Sequence, residues 1–179
     1  AEIYNVSTVD YAVEKNIPAS LDVLIIIGPK EKFKDEELKA MDALLMRGGA
    51  LVILADGVAV EQGLKATKND SGLNKILEAY GVKLNNDLVL DINNGLASFS
   101  QGFVTFSTNY PYWPKVIKSG FDKNNIAVAK LESLVLPWAS SIDINSDQTK
   151  NLRVSLLAES SNRALVVADD FDLSPPAEI

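Results

Sequence analysis

The chain contains no cysteine and no histidine, so few of its side chains can do chemistry. Thiol nucleophiles, Ser-His-Asp triads, Cys-His dyads and nearly all zinc sites need one of the two missing residues. Carboxylates, hydroxyls and the backbone groups of turns remain. Two turn pairs stand out, Gly28-Pro29 and Asp56-Gly57, each following an apolar run. Open α/β sheets bind ligands outside the carboxyl ends of their strands. These four residues therefore mark the edge where a pocket would form, although Gly-Pro and Asp-Gly are also ordinary turn formers.

Each other candidate lacks a part. Gly48-Gly49 in "MRGGALVILADG" is no phosphate loop, because such loops join a strand to the following helix. Here the pair lies between helix and strand and reads as a helix stop. "DINSDQT" puts Asp143, Asn145 and Asp147 at positions 1, 3 and 5 of a calcium loop. Gln148 then replaces the required glycine and Val154 the bidentate glutamate, so the stretch reads as a solvated turn. "SFSQG" has Ser98 where a nucleophile elbow needs its first glycine, and no histidine base exists. "DDFD", Asp169 to Asp172, could do acid-base work if burial split its pKa values. Beside "LSPPAEI" it reads as a solvated tail. An enzyme using carboxylates alone, such as a glycosidase, would need two of them roughly 5 to 9.5 Å apart in a cleft. "NYPYWP" concentrates Tyr110, Tyr112 and Trp113 around two prolines. Such a cluster stacks on sugars or anchors a partner, or it plugs the end of a core. The sequons "NVS" and "NDS" matter only in a glycosylating pathway.

The elements that would position these residues follow from periodicity. "EIYNVSTVDYAV" has the composition of an extended edge strand, and "NIPASLD" reads as a turn. "LDVLIIIGPK" predicts a strand buried on both faces, as in a parallel sheet. "KDEELKAMDALLMRGG" predicts a helix: Asp35 caps it, Leu38, Met41 and Leu45 form one apolar stripe, and a glycine ends it. "ALVILA" predicts the next buried strand. Together Leu21 to Ala55 form a right-handed βαβ unit. A polar loop follows, then a second helix over "SGLNKILEAYG" with Leu73, Ile76, Leu77 and Tyr80 on one face. "VKLNNDLVLD" holds two short strands. Beyond Ile92 strands are expected in "FVTFS", "ESLVLPWASSIDI", "NLRVSLLAESS" and "RALVVA". Residues 1–168 read as a single α/β domain and 169–179 as a linker or tail.

Composition narrows the partners. The 179 residues suit one α/β domain, and 47% hydrophobic content is enough to build a core. A net charge of -7 argues against nucleic acid and against an anionic membrane surface. The longest apolar run falls far short of the roughly 20 residues of a spanning helix. The opening on Ala1 suggests a piece of a longer or processed protein.

Four stretches in fixed order carry a resemblance: "LDVLIIIGPKEKFKDEELKAMDALLMRGGALVILADG", "GLNKILEAYGVKLNNDLVLD", "YPYWP" and "LVLPWASSI". From about Leu21 to Ser160 the chain resembles the extracytoplasmic domain of gliding-motility-type ABC-transporter auxiliary proteins. It is also similar to the N-terminal domain of an intraflagellar-transport complex protein. The resemblance implies an α/β fold, a flavodoxin-like or class I glutamine-amidotransferase-like three-layer sandwich with a mostly parallel central sheet. It implies a domain on the periplasmic face of a bacterial inner membrane, anchored by segments outside this chain. ABC permease and ATPase subunits would be its partners. Amidotransferases of that fold use a cysteine and a histidine. Neither is present here, so no catalytic residue and no cofactor is carried over. The reading is a non-enzymatic accessory or substrate-recognition domain of an export or gliding-motility-like system. Gly28, Pro29, Asp56 and Gly57 would form its cleft, and Tyr110, Tyr112 and Trp113 its contact surface. The rival reading is a periplasmic solute-binding module for saccharide or peptide.

Overall fold

The computed structural model describes residues 3–147, 149 and 152–175. Residues 3–9, expected as an edge strand, lie outside every strand, and Ile3, Tyr4 and Val6 are exposed. Asp10 instead accepts the Ala12 N–H and caps a one-turn helix, α1 (Tyr11–Glu14). "NIPASLD" is more than a turn, because Ile17 enters the core.

The βαβ unit is formed as expected. Strands β1 (Val23–Ile27) and β2 (Ala50–Leu54) run parallel, in register from Val23↔Ala50 to Ile27↔Leu54. Helix α2 (Asp35–Met46) joins them. It starts one residue away from the expected cap: Lys34 is the N-cap, and its N–H donates to Oε2 of Glu37 at 2.6 Å. A carboxylate in the first turn suits the positive end of the helix dipole. The helix stops in a Schellman motif, with Gly48 N–H donating to Leu45 O and Gly49 N–H to Leu44 O. Gly48 takes φ +90, which a side chain would oppose. Leu38, Met41 and Leu44 are the buried face of α2, with Leu45 at its margin. They pack with Leu24, Ile26, Leu51 and Ile53, and with Leu73 and Ile76, as a first core. The opposite sheet face is open: Val23, Ile25, Ile27, Val52 and Leu54 are exposed, against the expectation of burial on both sides.

The three-layer flavodoxin-like or amidotransferase-like sandwich with a mostly parallel sheet is not the fold of this chain. The parallel pairing stops at two strands. Among the described residues all other strands pair antiparallel, in four small sheets. The expected polar loop after Gly57 is a hairpin, β3 (Val58–Glu61) with β4 (Lys65–Lys68), turned at Gly63 (φ +82) and Leu64 (φ +61). The second helix is reduced to α3 (Asn74–Leu77) and one 3-10 turn, Glu78–Tyr80. Then follow β5 (Val82–Leu84), β6 (Leu88–Leu90), β7 (Asn94–Gln101), β8 (Val104–Ile117), β9 (Ser133–Val135), β10 (Ile142–Ile144) and β11 (Leu165–Val167). Strand β10 pairs β5, β11 pairs β6, and β7, β8 and β9 form one sheet. The physical cause is the lack of crossover helices. Parallel neighbours need long connections, usually helical, and no helix-period stripe exists after Tyr80.

A second core gathers Val58, Leu88, Ala97, Tyr110, Tyr112 and Leu173. Leu173 belongs to the segment read as a tail, and it is 2% exposed. Phe171 packs against the same cluster, and Lys68 pairs with Asp169 at 2.7 Å. Residues 176–179 lie outside the described residues. "NLRVSLLAESS", expected as a strand, contributes among its described residues an isolated bridge, Ala158 to Phe121. Among the described residues no helix is long and apolar enough to cross a membrane.

A sealed strand edge as candidate functional site

The fold brings Gly28-Pro29 and Asp56-Gly57 together at the carboxyl end of the parallel pair, as the sequence predicts. The Gly28 N–H donates to Leu54 O at 2.7 Å, which aligns the two exits. What lies over them is protein. The Asn69 side chain spans the edge, its Nδ2 donating to Pro29 O and to Asp56 O, each at 2.9 Å. The Asn69 N–H donates to Gly57 O. Asn86 adds a second brace, its Nδ2 donating to Gly57 O and Asn69 O at 2.8 Å. From the other side the Gly57 N–H donates to Ser140 Oγ at 3.0 Å.

Two amides thus take up the carbonyls that a ligand would otherwise bind. A carbonyl already paired with an amide gives less to a newcomer than a free one. The cavity beside this knot, lined by Asn69, Asp70, Ser71, Gly72, Leu73, Asn74, Leu84 and Asn86, is about 10 Å³, room for one water at most. Gly72, at φ +75, lets the loop turn under Lys32, and Lys32 and Asp70 form an exposed ion pair. Asp56 lies exposed at the edge, and partial desolvation of its carboxyl raises its pKa above the usual carboxylate value.

The aromatic residues also lie elsewhere than a contact surface requires. Tyr110 is 1% exposed, and its hydroxyl donates to Leu173 O at 2.8 Å. Tyr112 is buried and Trp113 half-buried. Tyr110 meets Phe99, Tyr112 and Trp113, and Trp113 meets Trp138, edge-on or tilted, at centroid distances of 5.1 to 6.2 Å. This is the core-plug alternative. The prolines do not expel the segment from regular structure. It lies within β8, where the register jumps from Asn94↔Pro114 to Gly95↔Tyr110. The extra residues form a bulge, the setting in which a sheet tolerates proline.

A larger concavity, about 380 Å³, opens beside β5 and β10, lined by Glu78, Gly81, Val82, Lys83, Asp143, Ile144 and Asn145. It lies at the low end of small-ligand sites. Asp143, at position 1 of the incomplete calcium-loop pattern and read as part of a solvated turn, lies in strand β10, where Asn85 Nδ2 donates to its Oδ2 at 2.9 Å. Gln148 lies outside the described residues. Among the described residues no group of three acidic, histidine or cysteine side chains could hold a metal ion. Ser98 is no nucleophile elbow. It lies within β7, and its hydroxyl pairs with that of Ser107 at 2.8 Å.

Sequence reasoning missed two carboxylates. Asp87 and Asp91 flank β6 and are almost wholly buried. Asp87 accepts the Ser141 N–H at 2.7 Å and the Ser141 Oγ–H at 2.6 Å. Asp91 accepts the Ser161 N–H at 2.7 Å and the Ser161 Oγ–H at 2.6 Å. The same clip therefore docks both returning segments, one leading into β10 and one into β11. Burial pushes the Asp91 pKa up, but the hydrogen bonds from Ser161, Asn93 and Ile92 outweigh it and hold it below the usual value. The shared "SS" in "WASSI" and "AESSN" was the only trace in the sequence.

Comparison with known proteins adds what geometry does not. All of residues 1–179 match the model of the ABC transporter auxiliary family, described as an ABC-type uncharacterized transport system. The chain belongs to this family. As an auxiliary-family chain it is related to an uncharacterized protein of Borreliella burgdorferi (strain ATCC 35210 / DSM 4680 / CIP 102532 / B31). The two are 29% identical over 162 residues, which cover 87% of this chain and 31% of that protein. The auxiliary-family chain thus spans about a third of the length of this relative. A solved structure, the mmIFT52 N-terminal domain, aligns at 23% identity with a TM-score of 0.46, covering 70% of this chain and 49% of that one.

Proposed function

We propose that this chain is a non-enzymatic accessory domain that binds the permease and ATPase subunits of an ABC transporter. In this reading it lies on the periplasmic face of the inner membrane and serves an export or gliding-motility-like system. The observation that carries the proposal is the match of the whole chain to the auxiliary family. The sealed strand edge supports it, since the fold's expected ligand crevice is filled by Asn69 and Asn86. The saccharide reading depended on surface-exposed aromatic rings, and Tyr110 and Tyr112 are buried.

A thermal-shift screen against saccharides and short peptides tests the non-binding part. A ligand at one hundred times its Kd would add about 2.7 kcal/mol of stability. We expect no such shift. A reproducible rise of the melting midpoint that saturates with one ligand class would restore the solute-binding reading.

A further inference from the structure

The β7–β8 hairpin carries a feature that the accessory reading does not use. Residues 92–114 hold no charged side chain, in a chain that is 23% charged. At the distal end Gln101 pairs with Val104, leaving Gly102-Phe103 as a two-residue turn. Gly102 has φ +61 at the first central position, as a type II′ hairpin turn requires. The turn thrusts Phe103 outward, at 109% relative exposure, with Val104 beside it at 65%. Behind the tip, the outward-facing polar side chains pair with each other. Ser98 and Ser107 hydroxyls are 2.8 Å apart, and those of Ser100 and Thr105 are 3.2 Å apart. Phe99 and Phe106 meet on the inner side. The hairpin end thus has no ion to desolvate, and several of its polar side chains carry their own partners. Moving it out of water costs little.

We propose that this hairpin tip is a membrane-interface finger, seating Phe103 and Val104 in the headgroup–acyl boundary of a zwitterionic lipid surface. Lipid fits better than a protein groove. The finger is convex and offers no charge to fix register, which protein partners use for specificity. The net charge of -7 sets the chain against an anionic surface, whereas the charge-free finger meets a neutral one without repulsion. Insertion is shallow. Strand β7 is a sheet edge, and hydrocarbon does not accept unpaired strand edges. The proposal does not depend on the transporter reading, and either can fail alone.

Flotation of the 179-residue chain with phosphatidylcholine vesicles tests it. Bound fraction should rise with lipid and change less than about twofold between roughly 0.05 and 0.5 M NaCl, since no ion pair is screened. Phe103→Asp should lower the partition coefficient about tenfold or more, by losing aromatic burial. Its melting midpoint should match wild type, because Phe103 touches no core. Phe103→Trp should still float and gain blue-shifted emission over the Trp113 and Trp138 background. Absence of wild-type flotation, equal flotation of Phe103→Asp, or binding that needs anionic lipid and collapses in salt would each overturn the proposal.

Discussion

Replacing Asp91 by alanine is expected to lower the stability of the chain by on the order of 3 kcal/mol. The carboxylate is 3% exposed. It takes the Ser161 N–H and hydroxyl at 2.7 and 2.6 Å, and the Asn93 N–H at 2.9 Å. Alanine leaves these donors without a partner, and hydrogen bonds to a charged acceptor contribute about 1.5 to 3 kcal/mol each. For a chain of this size that is roughly a 6 to 12 °C drop in melting midpoint. The effect should be pH-dependent, and its sign follows from the lowered pKa. A carboxylate whose folded pKa lies below its unfolded value of about 4 adds stability above that value. That stability is lost as pH falls through the folded pKa. The gap between wild type and Asp91→Ala should therefore be full at neutral pH and narrow in acid. Thermal melts from about pH 7 down to 3 check this. A gap independent of pH would mean that packing, and not the charged clip, holds the segment.

Gly57→Ala should cost about as much, for a steric reason. A Cβ at Gly57 would stand 1.8 Å from Asn85 O and 2.9 Å from Ser140 Oγ. The Asn85 backbone cannot easily retreat, because its N–H donates to Ser141 O at 3.0 Å. Its side chain is held by Ser141 and Asp143. Overpacking of this kind costs roughly 1 to 3 kcal/mol and occasionally more, and the close backbone of Asn85 puts this site at the upper end. Gly63→Ala is the control. Gly63 has φ +82, and nothing lies within 4 Å of the added Cβ, so only conformational strain of about 1 kcal/mol applies. If urea melts show the two variants equally mild, the strand edge is looser than described here.

These predictions show what was legible in the sequence. The βαβ unit was, because a helix stripe, a glycine stop and two apolar runs lie close together, and each signal is local. The meeting of Gly28-Pro29 with Asp56-Gly57 followed from that unit. The wider sheet was not legible. Val23 to Ile27 reads as buried on both faces by composition, yet one face of β1 and β2 is exposed. Apolar content does not say whether a covering layer exists. The braces over the site were not legible for a related reason. Asn69, Asn85 and Asn86 look like turn residues, and their amides act across 13 to 58 positions of sequence as braces between separate elements. Asp87 and Asp91 look like solvated charges between strand signals. Their serine partners lie 54 and 70 residues away, a distance that no periodicity reports. The prolines of β8 misled as well, since a bulge absorbs them without breaking the strand.

Under the proposed function, this chain works by docking to transporter subunits. Co-expression with the ABC permease and ATPase of the same system, followed by size-exclusion chromatography in detergent, tests it most directly. The chain should co-elute with the permease–ATPase complex, and Asp91→Ala should weaken co-elution only under conditions that unfold it. Separate elution of the chain, with turnover of a substrate by the isolated chain, would contradict it.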